Sequence, residues 1–246
     1  MLVIKIGGNE LDEPEFIDRL GEAMAALSMP AILVHGGGKE IRQLQQQLGV
    51  TPQYIKGLRV TDAVSLDIVN MVLAGRVNKR LVSSLLKSGV DAFGMSGVDR
   101  ASLKAVKLEH PDGDLGQVGR VVEVRTEVFH RLIEDGTVPV LSPICYGPDG
   151  STFNVNADHV AQAIAIAMRV EALVFVSNVP GVLRGKKLLP HLTTAEIKRL
   201  IAENVIIDGM IPKVQSAVEA IKGGVMAVKI TNLAGLEAGT GTTIVS

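Results

Sequence analysis

Short apolar runs alternate with amphipathic helical patterns along most of this chain, and that alternation is the strongest constraint on its fold. Such runs predict buried strands, and the helical patterns between them predict crossover connections of a parallel sheet. The core must consist of Val, Ile, Leu and Ala, because 47% of the residues are hydrophobic and only 3% are aromatic. We therefore expect an α/β fold, a three-layer αβα sandwich with a central, mainly parallel sheet covered by Ala-rich helices. The predicted strands are Leu2–Ile6, Ala31–His35, 92–95, Val138–Ser142, 173–177 and 227–230.

Three helices have recognisable N-terminal signals. Asp12 is a predicted N-cap ahead of Pro14, and Thr126 is a predicted N-cap before an amphipathic stretch. Thr193 and Glu196 have the spacing of a capping box. These signals place the predicted helices between the predicted strands.

Two segments interrupt the alternation. Residues 51–60 have the pattern of a hairpin arm, and residues 103–124 that of two strands around a polar turn. Insertions of this kind usually lie at the ligand-bearing edge of a sheet. We expect one domain over residues 1–246, with two lobes, about 1–145 and about 146–246, joined through a continuous sheet.

Charge and cysteine content exclude several classes of partner. The formal net charge of −1 argues against a surface that binds nucleic acid. Cys145 is the only cysteine, so an internal disulfide cannot form, and we expect it to be a small core residue. No uninterrupted apolar run approaches the ~20 residues of a membrane span, and the chain opens directly on a predicted strand. These observations favour a soluble, cytoplasmic protein without nucleic-acid or membrane partners.

Two lysines stand in settings that favour phosphate binding. Lys5 lies within the predicted strand Leu2–Ile6, close to Gly7 and Gly8, and Lys213 lies far along the chain. A strand holds the ammonium group in place, and glycines without a Cβ let backbone N–H groups approach an anion. The pattern indicates an anionic transition state held from two sides, which is a kinase-like hypothesis.

A second glycine-rich turn, residues 36–38, follows the strand Ala31–His35 and precedes a predicted helix. Backbone amides at a helix N-terminus bind anions through their free N–H groups and the helix dipole. Neither glycine turn matches the Walker A pattern or G-x-G-x-x-G. Tight-turn geometry alone would explain a single Gly-Gly turn, but two such turns after parallel strands favour a function.

Charged residues elsewhere supply candidate partners for these groups. Lys5 in a buried strand requires a counter-charge unless the strand is at a sheet edge, and Asp158 at the start of the predicted helix 158–168 is a candidate. A plain helix N-terminal role for Asp158 is the alternative. Arg59 offers a planar fork for a carboxylate, with a solvated surface arginine as the alternative, and Thr61 is the predicted cap of the next helix. The five histidines show no metal-ligand spacing.

Six motifs, in order along nearly the whole chain, carry a resemblance to a known family. On them the chain resembles the amino-acid kinase family, and in particular the members that phosphorylate N-acetylglutamate. The resemblance implies the αβα fold of this family and of carbamate kinases. The motifs are Lys5-Ile6-Gly7-Gly8, His35-Gly36-Gly37-Gly38, Gly57-Leu58-Arg59-Val60-Thr61, Ala74-Gly75-Arg76-Val77-Asn78-Lys79, Asn154-Val155-Asn156-Ala157-Asp158, and Asp208-Gly209-Met210 with Lys213.

The resemblance implies ATP-dependent phosphorylation of a side-chain carboxylate, that of N-acetyl-L-glutamate, to give an acyl phosphate in arginine biosynthesis. Lys5 and Lys213 would stabilise the transferring phosphoryl group, and Asp158 would hold both ammonium groups. Gly8 and Gly38 would donate backbone N–H groups to the same phosphoryl group. A carboxylate is already an anionic nucleophile at neutral pH, so the absence of a catalytic triad agrees with this chemistry.

The resemblance also implies how the substrates bind. Arg59 and Asn154 would bind the α-carboxylate and the acylamino group, with Gly37 and Gly38 lining that site in the N-terminal lobe. The C-terminal lobe would bind ATP, with Mg²⁺ held through the nucleotide phosphates and without metal ligands from the protein. The implied nucleotide-binding residues are Lys5, Gly7, Gly8, Ser177, Asn178, Val179, Gly181, Val182, Leu183, Val205, Ile206, Ile207 and Lys213.

Departures from the family pattern leave other substrates open. Asn178 and Val98 stand where Asp and Lys are common among acetylglutamate-phosphorylating members, and both are similar to relatives that act on 2-aminoadipate in lysine biosynthesis. That substrate would be N-acetylated or attached to a small acidic amino-group carrier protein, whereas residues 57–61 favour N-acetylglutamate. A further alternative is a non-catalytic sensor of an amino acid or nucleotide. Because Met1 opens the first strand, without the extra helix of hexameric relatives, we expect a homodimer without arginine feedback.

Overall fold

The computed structural model describes residues 1–7, 11, 13–207 and 209–246. Its helices are α1 Pro14–Ala25, α2 Gly38–Gln47, α3 Ala63–Asn70, α4 Asn78–Lys87, α5 Thr126–Glu134, α6 Ala157–Ala167, α7 Thr194–Ala202, α8 Met210–Lys222 and α9 Leu233–Glu237, with a π-helical turn Met71–Val77 and a 3₁₀ turn Asp99–Ala101. Its strands are β1 Leu2–Ile6, β2 Ala31–His35, β3 Tyr54–Ile55, β4 Leu58–Arg59, β5 Ala92–Ser96, β6 Leu103–Lys107, β7 Val118–Val124, β8 Val138–Ser142, β9 Ile144–Tyr146, β10 Thr152–Val155, β11 Ala172–Val176, β12 Leu183–Arg184, β13 Lys187–Leu188, β14 His191–Thr193, β15 Val228–Thr231 and β16 Thr242–Val245.

The central sheet confirms the predicted fold class. Within the described ranges, eight strands form one sheet in the order β14-β16-β15-β11-β1-β2-β8-β5. The strands from β15 to β5 in this order are parallel, and β16 runs antiparallel to β15. Ile6 is in register with His35 on β2 and with Val176 on β11. The carboxyl ends of these three strands therefore meet at the same edge, where ligands bind in open α/β sheets.

Buried apolar residues cover both faces of this sheet. On β2, Ile32 and Val34 pack in the cluster formed with α5, α6 and α8, whereas Leu33 packs in the opposite cluster with α1 and α4. This alternation produces the three layers, since successive strand residues point to opposite faces. Cys145 belongs to the first cluster, and burial raises the pKa of its thiol to about 12, as expected of a core cysteine. In the described part of the chain, every helix is too short or too polar to span a bilayer.

Local signals predicted most boundaries but not every cap. The capping box is confirmed, because Thr193 Oγ1 accepts from the backbone N–H of Glu196 at 3.2 Å and the Glu196 carboxylate accepts from that of Thr193. The cap at Thr126 is wrong. Thr126 is the first residue of α5 and Arg125 is its N-cap, without a capping side chain. Asp12 lies outside the described residues.

Both insertions contain the predicted strands, and the strands of the second insertion also form part of a closed barrel. Residues 51–60 contain the antiparallel hairpin β3–β4. Residues 103–124 contain the antiparallel pair β6–β7, which joins β9 and β10 in a small closed barrel beside the sheet edge. The barrel was not predicted, because it depends on pairing with strands outside the insertion. The division into lobes near residue 145 stays a prediction.

The 3₁₀ turn after β5, Asp99–Ala101, contains two residues with a strained backbone conformation. Ala101 and its neighbour Arg100 have φ values of 47° and 55°, in the left-handed region that favours glycine. We expect Ala101→Gly to raise the free energy of unfolding by about 1 kcal/mol, measured by urea denaturation. Ala26→Gly is the matched control and should lower it, because Ala26 ends α1 in a right-handed conformation. A loss of stability in both variants would contradict a left-handed residue 101.

Candidate active site

Lys5 is paired with Asp158 at the carboxyl edge of the sheet. The Lys5 ammonium nitrogen lies 2.7 Å from Asp158 Oδ1, and the two side chains are 17% and 28% exposed. The edge-strand alternative for Lys5 is wrong, because β1 lies between β2 and β11. Asp158 is the second residue of α6, and its backbone N–H donates to the side chain of the N-cap Asn156 at 2.8 Å. The two interpretations of Asp158 are therefore both correct, since it lies in the first turn of the helix and also pairs with Lys5.

The ion pair leaves hydrogen-bonding capacity on Asp158. Its Oδ1 is buried and has no hydrogen bond of good geometry among the described residues, although the Lys5 nitrogen is close. The contact is therefore charge pairing rather than an aligned hydrogen bond. A buried carboxylate oxygen in this state can accept from a further donor.

Lys213 joins this pair across a small cavity. We call it the lysine cavity; it has a volume of about 130 Å³. Lys213 reaches it from the first turn of α8. Two ammonium groups and one carboxylate give the cavity a net positive charge, which suits an anion such as a phosphoryl group. The lining residues are Lys5, Gly7, Asp158, Phe175, Val176, Ser177, Pro212, Lys213 and Ser216.

The glycine turn after β2 lies beside the end of β1. The Gly36 N–H donates to the Ile6 carbonyl at 3.1 Å, which fixes this turn to the last residue of β1. Leu73 packs on Gly37, because a Cβ at this position would lie 2.5 Å from Leu73 Cδ2 and would force that side chain to shift. Gly38 begins α2 in open space, so this helix N-terminus can approach a ligand. Gly8, predicted to act with Gly38, lies outside the described residues.

A second cavity, which we call the arginine cavity, contains all four predicted acceptor-binding residues, Gly37, Gly38, Arg59 and Asn154. It has a volume of about 280 Å³. Asn156 and Ala157 also line it and precede Asp158 of the lysine cavity, so the N-terminus of α6 joins the two cavities.

Arg59 is held in place, unlike a solvated surface arginine. Its Nη2 donates to the Gly38 carbonyl at 3.0 Å, and its guanidinium lies 4.9 Å from the centre of the Tyr54 ring. Partial burial lowers the pKa of Arg59 below its usual value, but an arginine side chain stays protonated at neutral pH. The charged fork therefore remains available for a carboxylate.

Gln45 is a residue of this site that sequence reasoning missed. Its buried side chain on α2 accepts a hydrogen bond from Arg59 Nη1 and donates to Ser65 Oγ at 3.1 Å. Gln45 follows the buried Ile41 by four residues, so it lies on the buried face of an amphipathic helix. A polar residue on that face was the signal that could have identified it.

Thr61 connects the two predicted acceptor ligands instead of capping a helix. Its Oγ1 donates to the Arg59 carbonyl at 3.1 Å and accepts from Asn154 Nδ2 at 3.1 Å. The cap predicted at Thr61 is wrong, because Asp62 is the N-cap of α3 and accepts from the Ser65 N–H at 2.7 Å. The cap lies one residue later than predicted, and Thr61 itself is buried, with its backbone bridged to that of Gly116.

Only some of the predicted nucleotide-binding residues line the lysine cavity. Ser177 lines it, and with Asn178 it also lines a neighbouring cavity of about 280 Å³ near α1 and α9. The side chains of Val182 and Ile206 pack in the core, so only their backbones could meet a ligand. Gly181 has a φ of 141° and lies against Thr242. The other residues lie between β11 and β12, at the start of β12, or between α7 and α8: Val179, Leu183, Val205 and Ile207.

Metal-ligand clusters were not found in the described ranges. No group of three or more His, Cys, Asp or Glu side chains there is arranged to hold a metal ion. The charged groups of the site are thus cations that suit phosphates and carboxylates, with Asp158 as their counter-charge.

The chain is similar in sequence to kinases over nearly its full length. A model described as "Amino acid kinase family" matches residues 1–232. The acetylglutamate kinase of Roseiflexus sp. (strain RS-1) is 52% identical over 245 residues, covering 100% of this chain and 93% of that protein. The acetylglutamate kinase of Methanopyrus kandleri is 42% identical over 252 residues, covering 99% and 100%.

Solved structures show the same architecture. The smu.665 protein of Streptococcus mutans UA159 superposes with a TM-score of 0.79 at 31% identity, over 99% of this chain and 98% of that one. N-acetylglutamate synthase of Neisseria gonorrhoeae, complexed with coenzyme A and N-acetyl-glutamate, has a TM-score of 0.84 at 27% identity, over 100% of this chain but 59% of that one. Carbamate kinase of Giardia lamblia bound to AMP-PNP, at 16% identity and a TM-score of 0.69, shows the fold alone, over 100% of this chain and 98% of that one.

Proposed function

This chain belongs to the amino-acid kinase family, and from that premise we propose that it phosphorylates the side-chain carboxylate of N-acetyl-L-glutamate with ATP. The acyl phosphate product would serve arginine biosynthesis. Relatives named acetylglutamate kinase at up to 52% identity over the whole chain support the acceptor. The observation that carries the proposal is the junction of the two cavities at α6, one with Lys5 and Lys213 and the other with Arg59 and Asn154.

The reaction needs alignment and charge neutralisation rather than proton transfer. A carboxylate oxygen of the acceptor forms a bond to the γ-phosphorus as the bond to the β-phosphate oxygen breaks, and ADP leaves. No proton moves, because the nucleophile is already ionised at neutral pH. Lys5 and Lys213 neutralise the negative charge of the two reactants and of the transferring group. Asp158 keeps the ammonium groups together, and its unused Oδ1 capacity suits the approach of Lys213.

The arginine cavity would bind the rest of the acceptor. Arg59 provides a fork for the α-carboxylate, and Asn154 provides an amide for the acylamino group. Gly37 and Gly38 bring backbone groups close to the reacting end of the acceptor. The Thr61 hydroxyl donates to the Arg59 carbonyl and accepts from the Asn154 side chain, so it fixes the distance between these two acceptor-binding residues.

ATP would enter as its Mg²⁺ complex, with the metal held by the nucleotide's own phosphates. Its phosphates would reach the lysine cavity, where Gly7 and Ser177 line the wall beside the lysines. The predicted segments 177–183 and 205–207 would surround the remainder of the nucleotide. Val182 and Ile206 would contribute backbone groups, since their side chains belong to the core.

A hydroxylamine-trapping assay tests the proposed function. An acyl phosphate reacts with hydroxylamine to a coloured hydroxamate, which identifies carboxylate phosphorylation apart from ATP hydrolysis. We expect the highest kcat/KM with N-acetylglutamate, and lower values with N-acetyl-aminoadipate and carrier-linked aminoadipate. Activity with none of these, or only with aspartate or carbamate, would overturn the proposal.

Gln45 should influence acceptor binding without touching the acceptor. Gln45→Leu removes the buried hydrogen bond to Arg59 and releases the guanidinium, so we expect the KM for the acceptor to rise about tenfold. The KM for ATP should stay close to its original value, because Arg59 does not line the lysine cavity proposed for the ATP phosphates. Steady-state kinetics with each substrate varied in turn measure both constants. Gln46→Leu on the exposed face of α2 is the control, and an equal effect in both variants would contradict the role of Gln45.

The edge of the central sheet offers a surface for a second copy of the chain. In the described part of the chain β5 is the last strand of the sheet, and Phe93 on it is exposed, as is Leu86 on the adjoining helix α4. Unpaired strand edges with apolar side chains associate readily, and symmetric pairing of two such edges closes the assembly. A homodimer through β5 therefore suits this edge. Light scattering should give a dimer for the native chain and a monomer for Phe93→Lys; a hexamer, or an unchanged dimer in the variant, would contradict it.

A further inference from the structure

Asn78 is a buried polar residue without a role in the proposed chemistry. It is the first residue of α4, directly after the π-helical turn, and its side chain is fully buried. Its Nδ2 donates to the Val140 carbonyl on β8 at 2.8 Å and contacts His35 Nε2 on β2 at 3.2 Å. Its Oδ1 accepts from the Lys79 ammonium at 3.2 Å. These partners fix the orientation of the amide, because only its nitrogen can donate and only its oxygen can accept.

His35 transmits this contact to the glycine turn. Since the Asn78 amide nitrogen donates, His35 Nε2 must accept, and the ring proton lies on Nδ1. His35 Nδ1 then donates to the Gly36 carbonyl at 2.9 Å. Burial lowers the pKa of His35 to about 4, so the ring is neutral at physiological pH and one tautomer satisfies both contacts.

The π-helical turn Met71–Val77 also supports the glycine turn at residues 36–38. Leu73 lies within it and packs directly on Gly37, and Asn78 follows five residues later. In an α-helix, positions five residues apart differ by about 140° around the axis and face different directions. The wider π-helical turn brings both side chains towards the glycine turn, in agreement with the frequent occurrence of such turns at functional sites.

From these contacts we infer that Asn78, His35 and Leu73 are positioning residues that hold the backbone of Gly36, Gly37 and Gly38 in the geometry required for phosphoryl transfer. The inference rests on the proposed function, in which this backbone faces the reacting groups. His35 fixes the Gly36 carbonyl, β1 fixes the Gly36 N–H and Leu73 supports Gly37. None of the three side chains needs to touch a substrate to act in this way.

Kinetics of matched variants test the inference. His35→Phe and Asn78→Ser remove the hydrogen bonds, and each should lower kcat about 10²-fold, because small misplacements of catalytic groups have effects of this size. The KM for ATP should change little. His35→Asn keeps a donor near the Nδ1 position and should retain most of the activity. Leu85→Ala on α4 is the structural control, since it removes buried contacts of the same helix away from the glycine turn.

Backbone amide NMR of the same proteins separates this inference from the proposed function. We expect the amide signals of Gly36, Gly37 and Gly38 to shift in His35→Phe and Asn78→Ser, and to stay in place in Leu85→Ala. An inactive native chain with N-acetylglutamate would overturn the proposed function, whereas the shifts would still report on the positioning contacts. Unchanged glycine signals in folded variants, an unchanged kcat, or an equal loss of kcat in Leu85→Ala would overturn the positioning role.

Discussion

Replacing Lys213 with alanine is expected to lower kcat by about 10²–10³-fold, the usual effect of removing one charge-stabilising donor from a transition state. The KM values should change much less, because the ammonium group acts mainly on charge that develops during transfer. Lys213 suits this test because it reaches the lysine cavity from the first turn of α8 and is only partly buried. Initial rates with saturating ATP and N-acetylglutamate measure the effect.

The matched control for this prediction lies on the same helix. Lys222 occupies the last turn of α8 and is exposed, so Lys222→Ala removes the same charge away from both cavities. Its kcat should equal that of the native chain. A native rate in Lys213→Ala, or an equal loss in Lys222→Ala, would show that long-range charge or helix stability, rather than the lysine cavity, accounts for the effect.

Asp158→Asn is expected to lower both activity and stability. The change keeps the shape of the side chain but removes the counter-charge of Lys5, which is mostly buried 2.7 Å away. Because both groups retain some exposure, we expect a loss of about 1–2 kcal/mol in the free energy of unfolding, below the value for a fully buried pair. We expect kcat to fall about 10²-fold, since the Lys5 ammonium loses the counter-charge that holds it in the lysine cavity. Urea denaturation and initial rates measure the two effects separately.

A double variant distinguishes the two effects of this ion pair. Lys5→Met combined with Asp158→Asn removes the unpaired buried charge, so stability should recover while activity stays low. The exposed pair Lys87–Asp18 provides the control, and Asp18→Asn should change stability by less than about 0.5 kcal/mol. Recovery of activity together with stability in the double variant would contradict a catalytic role for Lys5.

Sequence patterns predicted most of the secondary structure because these signals are local. The predicted strands 173–177 and 227–230 shift by only about one residue, to Ala172–Val176 and Val228–Thr231. One failure occurs where two neighbouring residues compete for the same capping role. Asp62 caps α3 in place of Thr61, whose hydroxyl is satisfied by the Arg59 carbonyl and Asn154 instead. A propensity cannot choose between adjacent capping residues when a distant partner decides.

The candidate site was predicted in part, for a related reason. Lys5 and Arg59 stood out because a charge in a strand or at a hairpin rim is unusual in its local setting. Gln45 did not, and Asn78 appeared only within a family motif without a role of its own, because a polar residue on a helix is ordinary until its burial is known. Their hydrogen bonds to Arg59 and His35 connect segments that are distant in sequence, and only packing brings these together.

Local patterns in the sequence are enough to specify the parallel α/β layering, the glycine-rich turn after β2, and the candidate charged groups. These properties follow from hydrophobic periodicity and from residue chemistry, both of which are local. The tertiary structure alone decided that Lys5, Asp158 and Lys213 line one cavity, and that the arginine cavity adjoins it at α6. The physical reason is the register of the sheet. Parallel strands from distant parts of the chain end at one edge only once they have paired, and the pairing depends on the packing of the whole domain.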